Sequence, residues 1–526
     1  MLVFPLCGVA LIHSIFYPCP APLYRRGVFC AAFFPAAATP LYKRPKSAYN
    51  NKAALLSRAL RRVAVHTRQS KEKLPLSQRS IKPERVLALG FLLLIILGGT
   101  LLSLPVSAAG GRSLGLLAGL FTATSAVCVT GLTVIDVGLS LSGFGQAVLL
   151  TLIQIGGLGF MVFATLVMVA LGKRISLKNR MLIRESMNQS TLSGMVRLTL
   201  WFFLLALVIE VVGALVLMTR FIPQYGVGRG IWYGFFHSIS AFCNAGFDLF
   251  GSYRSLTDYQ RDPAVLLTLS GLIILGGLGF SVLMECLHFR FDLRKLSLHA
   301  KLVLSVTAIL LLCGTLLILA LEWSNAGTLN SGELNGWEKL LNSFFQSVTF
   351  RTAGFASVDQ ASMTDSSKLF GIIAMFIGAS SASTGGGVKT TTFALMVLMV
   401  ATVVRGREHI NLFGREISDS AARRAVTIIL IGLCVILLCT CALSVVERNS
   451  DVPLIDLMFE ATSAFSTTGL SSANTPTLSV VSQWLLMPLM YFGRVGPLTL
   501  AFALANRMDN HPANRVRYPE EKIMIG

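Results

Sequence analysis

Long uncharged stretches recur along most of the chain. From Val86 onwards, eight of them are long enough to cross the hydrocarbon core of a bilayer, which takes about 20 residues of helix. Three carry a single charge each, at Glu210, Lys389 and Arg494. The pattern predicts eight transmembrane helices, at 86–104, 144–172, 198–219, 264–284, 302–321, 369–404, 425–446 and 480–506.

A shorter apolar stretch lies between the two members of each consecutive pair of long ones. These four stretches are 114–127, 231–242, 337–349 and 454–465. As helices of about 18 to 21 Å they are too short to span a bilayer, so we expect them to be re-entrant. The repeat of span, short helix and span divides the chain into four units: 86–172, 196–290, 298–406 and 423–507.

Each short helix ends in a related string that contains a glycine. The four strings are Ser125-Ala-Val-Cys-Val-Thr-Gly131, Ser240-Ala-Phe-Cys-Asn-Ala-Gly246, Val348-Thr-Phe-Arg-Thr-Ala-Gly354 and Ser463-Ala-Phe-Ser-Thr-Thr-Gly469. The glycines are 115, 108 and 115 residues apart. A second glycine follows in the next span after 25, 30, 24 and 24 residues: Gly156, Gly276, Gly378 and Gly493. Periodicity at two levels indicates an internal fourfold repeat.

Four such units enter the membrane in the same direction, so they can surround one axis along the bilayer normal. A short helix followed by a glycine-containing extended segment is what cation coordination needs, because backbone carbonyls can turn inward and replace water. A single string of small residues would instead suggest a close helix-packing surface. Four copies of the string, each with a matched second glycine, favour a pore. We predict an all-α membrane protein with four tandem helix–pore helix–helix units around a pseudo-fourfold central pore.

Composition agrees with a membrane protein. Of the 526 residues, 54% are hydrophobic and 13% are charged. The net charge of +20 raises the question of nucleic acid, but residues 1–85 hold 15 basic residues and two acids and so account for +13 of it. We therefore expect no nucleic acid partner.

We interpret residues 1–85 as a poorly ordered basic cytoplasmic segment and 508–526 as a cytoplasmic tail. The loops after spans two, four and six are rich in Lys and Arg, which places both termini in the cytoplasm.

On these motifs the chain resembles the Trk/Ktr/HKT superfamily of potassium transporters, over about residues 85 to 510. The most specific pieces are residues 122–133, 242–247, 350–355 and 462–470. Trk-type members carry two further N-terminal spans, which we do not expect in 1–85, so the resemblance is closest to the Ktr-type membrane subunit. It implies potassium uptake across a bacterial cytoplasmic membrane, with K+ as the transported ion and no cofactor bound by this chain. It also implies a homodimer, a cytosolic nucleotide-binding regulatory subunit of the RCK type, and often activation by Na+.

The resemblance also assigns residues to a selectivity filter and a gate. One glycine per unit belongs to the filter, and plant relatives with serine at the first position tend toward sodium, so Gly131 favours potassium. The filter residues are Val127, Cys128, Val129, Thr130, Gly131, Phe242, Cys243, Asn244, Ala245, Gly246, Phe350, Arg351, Thr352, Ala353, Gly354, Phe465, Ser466, Thr467, Thr468 and Gly469. The gate is an intramembrane loop, 379–387, with its flanks: Gly378, Ala379, Ser380, Ser381, Ala382, Ser383, Thr384, Gly385, Gly386, Gly387, Lys389 and Arg494.

Charged residues within the membrane region need partners. We expect Arg494 to contact loop carbonyls, either as a fixed positive charge that raises the barrier for cations or as a purely structural clamp. We expect Arg351 to brace the filter in preference to forming part of a cation-repelling ring. Glu460 on the fourth pore helix is expected to be a counter-ion. Glu210 is either a site for a coupling ion or one partner in a hydrogen bond between helices.

Other functions fit the sequence less well. Gly-Val-Lys389-Thr390 departs from a phosphate-binding loop because Val388 separates Gly from Lys, and Gly156-Gly-Leu-Gly159 lies inside a span with no βαβ context. Gly111-Arg-Ser113-Leu-Gly115 matches the nucleophile-elbow pattern of hydrolases. However, it precedes a predicted pore helix and does not lie at a strand-to-helix turn. We therefore expect no enzyme and no transition-metal site. The alternative that stays open is an alternating-access carrier for another monovalent cation such as sodium, which would usually show inverted repeats.

Overall fold

The computed structural model describes residues 83–496 except 160–161, 164, 166–168, 170–194, 291, 293, 331–333 and 408. The expectations for 1–82 and 497–526, including most of the basic segment and the whole tail, lie outside the described residues. So does the basic loop that follows the second predicted span. The described part is helical apart from one short hairpin.

The first two units each contain a long helix, a short helix and a second helix that ends at a glycine. The first comprises α1 (Pro83–Ser103), α2 (Leu116–Cys128), the one-turn α3 (Val137–Ser140) and α4 (Gly143–Leu158). The second comprises α5 (Met195–Tyr225), α6 (Val227–Phe242), α7 (Pro263–Leu278) and α8 (Phe280–His288). Single turns of 3-10 helix lie at Pro105–Ser107 and Thr257–Tyr259.

The third and fourth units repeat the same order. The third comprises α9 (Leu298–Glu322), α10 (Gly336–Thr349), α11 (Asp365–Phe376) and α12 (Thr390–Val404). A hairpin of β1 (Ile410–Leu412) and β2 (Arg415–Ile417) follows, paired antiparallel. The fourth unit comprises α13 (Asp419–Val446), α14 (Leu454–Ser466), a 3-10 turn at Thr475–Thr477 and α15 (Val480–Val495). All four short helices coincide with the predicted re-entrant helices within a few residues.

The first helix of each unit is the one long and apolar enough to span a membrane. These are Arg85–Ser103, Val196–Tyr225, Leu298–Glu322 and Asp419–Val446. A fifth span is obtained if Pro263–Leu278 and Phe280–His288, which meet at 98°, count as one. Only 28% to 33% of each first helix is covered by protein, and residues such as Leu312 and Leu438 are 63% and 70% exposed. Apolar helices uncovered to this extent fit a lipid environment.

The described second helices are shorter because each ends at a glycine or at a non-helical segment. Helices α4, α7 and α15 end immediately before Gly159, Gly279 and Gly496, whose φ angles are 91°, 92° and 91°. An L side chain disfavours this conformation, so glycine permits the break. In the third unit the break is the non-helical segment between α11 and α12. Because of these breaks, fewer than eight helices in the described residues are long enough to span a membrane without interruption.

Carboxylates tie the two spans together in the third and fourth units. Glu322, the last residue of α9, accepts hydrogen bonds from the Thr364 N–H (3.0 Å) and hydroxyl (2.8 Å) at the start of α11. Glu447, which follows α13, accepts from the Ser479 N–H at 2.9 Å, at the start of α15. Each carboxylate therefore satisfies the free N–H groups of the next span, and the short helix is held between the two.

Candidate functional site

The four predicted filter segments share one backbone conformation. The residue two before each glycine has a positive φ: Val129 (58°), Asn244 (58°), Thr352 (66°) and Thr467 (53°). The glycines themselves have φ of 99°, 70°, 82° and 91° for Gly131, Gly246, Gly354 and Gly469. Left-handed conformations are uncommon for residues other than glycine, and a repeat of four at matched positions indicates a functional constraint.

Hydroxyl groups of the short helices fix these segments. In the first unit Ser125 Oγ accepts from the Gly131 N–H at 2.9 Å, and in the fourth Ser463 Oγ accepts from the Gly469 N–H at 3.0 Å. In the second unit the equivalent Ser240 instead donates to the Phe247 carbonyl at 2.8 Å. Each bond satisfies a buried backbone group just where the helix has ended. The serines of the repeated string are thus explained by backbone support.

The four glycines adjoin one another in chain order. A methyl group on Gly131 would lie 2.6 Å from the Ala245 carbonyl oxygen, and one on Gly246 would lie 2.7 Å from that of Ala353. In the same way Gly354 faces the carbonyl of Thr468, and Gly469 faces that of Thr130. Each glycine therefore packs on the carbonyl that precedes the next glycine, and the last packs on the first. A side chain at any of these positions would have to displace the carbonyl that faces it.

A cavity of about 450 Å³ adjoins all four glycines. The residues that line it include Asp248, Asp359 and Arg254. A smaller cavity of about 40 Å³ lies between Gly131, Gly246, Asp136 and Asp248. Burial raises the pKa of Asp248 to about 7; a hydrogen bond from the Phe250 N–H opposes the rise and the charge of Asp136 adds to it. The glycines thus open onto a polar vestibule with acidic groups beside it.

The second glycine of each repeat supports the filter segment from behind in three units. A methyl group on Gly156, Gly276 or Gly493 would collide with the carbonyl oxygen of Val127, Phe242 or Phe465, respectively. Gly378 differs, because its neighbour is the Gly386 carbonyl of the intramembrane loop. The steady offset of these glycines is therefore explained in units one, two and four, and in unit three by the loop.

The intramembrane loop is seated against α7 and directly behind the filter segments. The Ser380 and Thr384 N–H groups donate to the carbonyls of Gly277 (3.0 Å) and Gly276 (3.2 Å), and the Phe280 N–H donates to Ala382 at 3.0 Å. Methyl groups on Gly385 and Gly386 would collide with the Thr352 and Thr467 hydroxyls. The loop therefore touches the left-handed residues of two filter segments.

Two half-buried basic residues hold successive carbonyls of this loop. Arg494 donates to the Thr384 carbonyl and to the carbonyls of Gly156 and Gly157, the last at 3.1 Å. Lys389 donates to the Gly385 carbonyl at 2.7 Å. The carbonyl clamp considered for Arg494 is present, and it joins the loop to the end of α4.

Arg351 and Glu460 have different surroundings from those expected, whereas Glu210 makes the helix–helix hydrogen bond that is one of its two expected roles. Nε and Nη2 of Arg351 have no hydrogen-bond partner although the residue is 8% exposed, so no hydrogen bond from them braces the filter. In the described part of the chain, Glu460 has the Thr475 hydroxyl and not a cation as its partner. Both oxygens of Glu210 lie 3.0 Å from the Gln154 amide nitrogen, which is the helix–helix hydrogen bond.

Two features of this region were not predicted. Gln154 links α4 to Glu210, and the only hint in the sequence is an amide inside an apolar span. Lys368 and Asp456 form a buried ion pair at 2.8 Å between α11 and α14, which no spacing in the sequence reveals. Gly156-Gly-Leu-Gly159 and Gly276-Gly-Leu-Gly279 lie at helix ends beside the filter segments. The described residues contain no group of three His, Cys, Asp or Glu suited to a metal ion.

Comparison with known proteins places this geometry in a family. Residues 86–514 match the family model described as TrkH, cation transport protein. The chain is 42% identical over 444 residues to "Ktr system potassium uptake protein B" of Bacillus subtilis, covering 84% of this chain and 97% of that protein. It is 40% identical over 450 residues to "Potassium/sodium uptake protein NtpJ" of Enterococcus hirae, covering 85% and 98%.

A solved structure has the same fold. The potassium transporter TrkH from Vibrio parahaemolyticus superposes with a TM-score of 0.63 at 18% identity, covering 82% of this chain and 86% of that one. The family and the relatives are ion transporters and not enzymes. With its apolar helices, four-part repeat and matched sequence, the chain is a multi-pass membrane protein that belongs to the TrkH cation transport protein family, as a Ktr-type member similar to the B subunit.

Proposed function

We propose that this protein takes up potassium through a pore whose narrowest part is the set of four filter segments. The observation that carries the proposal is the packing of each glycine on the carbonyl that precedes the next glycine, from Gly131 through Gly469 and back. Four identical backbone turns in such a set direct carbonyl oxygens toward a common axis, where they replace the water shell of a cation. The C-termini of the short helices add negative potential there.

In this proposal K+ enters from the vestibule and is coordinated by the filter carbonyls nearest the glycines. Val127, Cys128 and Phe242 still belong to the short helices, and Val127 and Phe242 carbonyls contact second-span glycines. The central oxygens are therefore those of the two residues before each glycine. The pseudo-fourfold pore and the eight spans, four of them interrupted by glycine or by the loop, belong to the same proposal. The membrane potential drives the ion inward with about 2.3 kcal/mol per 100 mV.

The intramembrane loop is proposed as the gate. Glycines 385 and 386 press against Thr352 and Thr467, so an ion leaving the filter meets the loop next. The carbonyls of Thr384 and Gly385 are held by Arg494 and Lys389, and these two positive charges oppose cation passage while the loop is seated. Opening requires the loop to leave these contacts.

Family membership supports a further set of proposals. The chain acts as a homodimer in a bacterial cytoplasmic membrane, with both termini inside and a separate cytosolic nucleotide-binding subunit that controls the loop. Na+ serves as an activator. The basic segment 405–424, which contains the β1–β2 hairpin, is the described candidate for contact with that subunit or with anionic lipid.

Uptake measurements in a bacterium that lacks its own K+ uptake systems test the function. Expression should restore growth at low external K+, and uptake of K+ and Rb+ should exceed that of Na+. Parallel cultures with and without a co-expressed regulatory subunit, and with and without Na+, test the regulation. Uptake of Na+ without K+, with the protein present in the membrane, would support the carrier alternative and contradict the proposal.

A further inference from the structure

Glu210 is a buried carboxylate whose side chain lies between two units. It is 5% exposed on α5, and its only described side-chain partner is the amide nitrogen of Gln154 on α4. The Gln154 amide oxygen lies 3.4 Å from Sγ of Cys243, which belongs to the second filter segment. The three side chains form one hydrogen-bonded chain from the carboxylate to the filter.

The chain has a fixed direction. In the structure the Gln154 amide nitrogen faces Glu210 and donates to both of its carboxyl oxygens. The Gln154 oxygen is then turned toward Cys243, whose thiol donates to it. Cys243 has little room to move, because a methyl group on Gly157 would lie 2.6 Å from its Sγ. Glu210 therefore sets the orientation of Gln154, and Gln154 sets that of Cys243.

Cys243 directly precedes the left-handed residue of its filter segment. Its neighbour Asn244 has φ of 58°, which asparagine adopts more readily than most other residues. The next two residues provide the Ala245 carbonyl, which packs on Gly131, and Gly246, which packs on Ala353. Support of Cys243 thus acts on two of the four contacts between glycines and carbonyls.

The other units lack this arrangement. The residues equivalent to Gln154, two before the second glycine, are Ile274, Phe376 and Tyr491. Of these only Tyr491 has a polar group, and it donates to the Ala88 carbonyl on α1. Ser466, the equivalent of Cys243 in unit four, bonds to the Thr462 carbonyl of its own helix and to the Thr468 hydroxyl of its own segment at 3.0 Å, with no link to another unit in the described contacts. The chain of three is specific to the boundary between units one and two.

We propose that Glu210 and Gln154 are positioning residues that determine ion selectivity by fixing the second filter segment. The proposal rests on the proposed function and adds to it a determinant outside the filter. Loss of the carboxylate leaves the Gln154 amide free to rotate, so the support of Cys243 is lost and the filter accepts ions of other sizes more readily.

Four variants in the K+-uptake-deficient bacterium test this inference. Glu210→Leu and Gln154→Leu break the chain at two different places, and Glu210→Gln keeps an oxygen acceptor for Gln154. Ser238→Ala is the matched control, because the Ser238 hydroxyl donates to the backbone carbonyl of Glu210 at 2.6 Å and not to its carboxylate. The measurement is the ratio of Rb+ to Na+ uptake at equal membrane levels of protein.

We expect each leucine variant to lower the ratio about fivefold, the equivalent of one buried hydrogen bond. Glu210→Gln should lie near the wild type, Ser238→Ala should match it, and the double leucine variant should be no worse than either single one. An unchanged ratio in Gln154→Leu, or equal loss in Glu210→Gln and Glu210→Leu, overturns the inference. If Glu210→Leu does not reach the membrane, Gln154→Leu and Glu210→Gln decide the question. If the wild-type protein reached the membrane and gave the deficient bacterium no K+ uptake, the proposed function itself would be refuted.

Discussion

Two independent features of the structure favour glycine at position 131. Its φ of 99° disfavours any L side chain, and an added methyl group would lie 2.6 Å from the Ala245 carbonyl oxygen. Gly131→Ser should therefore displace that carbonyl and lower the ratio of K+ to Na+ uptake. The control is Gly271→Ser, since Gly271 on α7 has no atom within 4 Å of its added methyl position. Selectivity of Gly131→Ser equal to that of Gly271→Ser would remove Gly131 from the filter.

Asp248 gives the outer vestibule a charge that depends on pH. Burial raises its pKa to about 7, so the carboxylate is negative above that pH and neutral below it. The other titratable residues that line the small cavity with Asp248 are Asp136 and Tyr253. Burial raises the pKa of Tyr253, so its phenol stays neutral. We expect the K+ concentration for half-maximal uptake to rise about twofold when external pH falls from about 8 to about 6.

In Asp248→Asn the K+ concentration for half-maximal uptake should be as high at the upper pH as at the lower one. The variant should therefore lose the pH dependence. Asp258→Asn serves as the control, because Asp258 is exposed and paired with Arg254 at 3.7 Å. A pH response that survives in Asp248→Asn would place the titrating group elsewhere.

At the residue scale, repetition decided what the sequence could predict. Glycines that recur at fixed spacing were predicted as filter residues, and the structure brings them together. The left-handed conformation of Val129 and Thr467 was not predicted, because nothing in a valine or threonine indicates a positive φ. Gln154 was missed for a related reason: it occurs once, and its role depends on side chains of two other helices. Arg351 was assigned a bracing role from its position alone, although two of its side-chain nitrogens have no hydrogen-bond partner.

At the element scale, the hydrophobic pattern predicted where helices lie but not how they end. The short helices follow from length and apolarity, and their positions agree with the structure. The end of α7 and its 98° bend into α8 depend on Gly279, whose added methyl group would lie 2.5 Å from the Ser381 carbonyl. A hydropathy profile continues smoothly through that glycine, since the flanking residues are equally apolar. The bend is therefore a tertiary property, set by the loop that packs on it.

Removal of the intramembrane loop tests its role as an element. Deletion of 379–387 should raise the rate of uptake, because the residues that press against Thr352 and Thr467 are gone. Lys389→Gln should raise it less, since Arg494 still holds the Thr384 carbonyl. Both are measured as initial Rb+ uptake per membrane-inserted protein, beside a Leu438→Ala change on the exposed face of α13. Uptake equal to the wild type in the deletion variant would exclude a gating role.

For the whole molecule, the packing of the four glycines on one another's segments depends on all four units keeping their places. Each segment rests on the next unit, so a displacement of one unit changes two contacts in the set. The pore helices are also joined by polar links between units, such as Trp232 Nε1 of α6 to Gln146 of α4 at 2.8 Å. Between units three and four the link is ionic, from Lys368 of α11 to Asp456 of α14.

The Lys368–Asp456 pair should contribute to stability in an asymmetric way. Its atoms lie 2.8 Å apart with side chains 7% and 9% exposed, so removal of one partner leaves the other charge buried and unpaired. Lys368→Met or Asp456→Leu should therefore cost about 3 to 5 kcal/mol, whereas the double variant should recover most of that loss. Thermal unfolding of the purified protein in detergent measures this, with Arg220→Met as the control, because the Arg220 side chain in its ion pair with Asp262 is 49% exposed. Equal losses in the single and double variants would mean that the two side chains stabilise the units by packing and not by their charges.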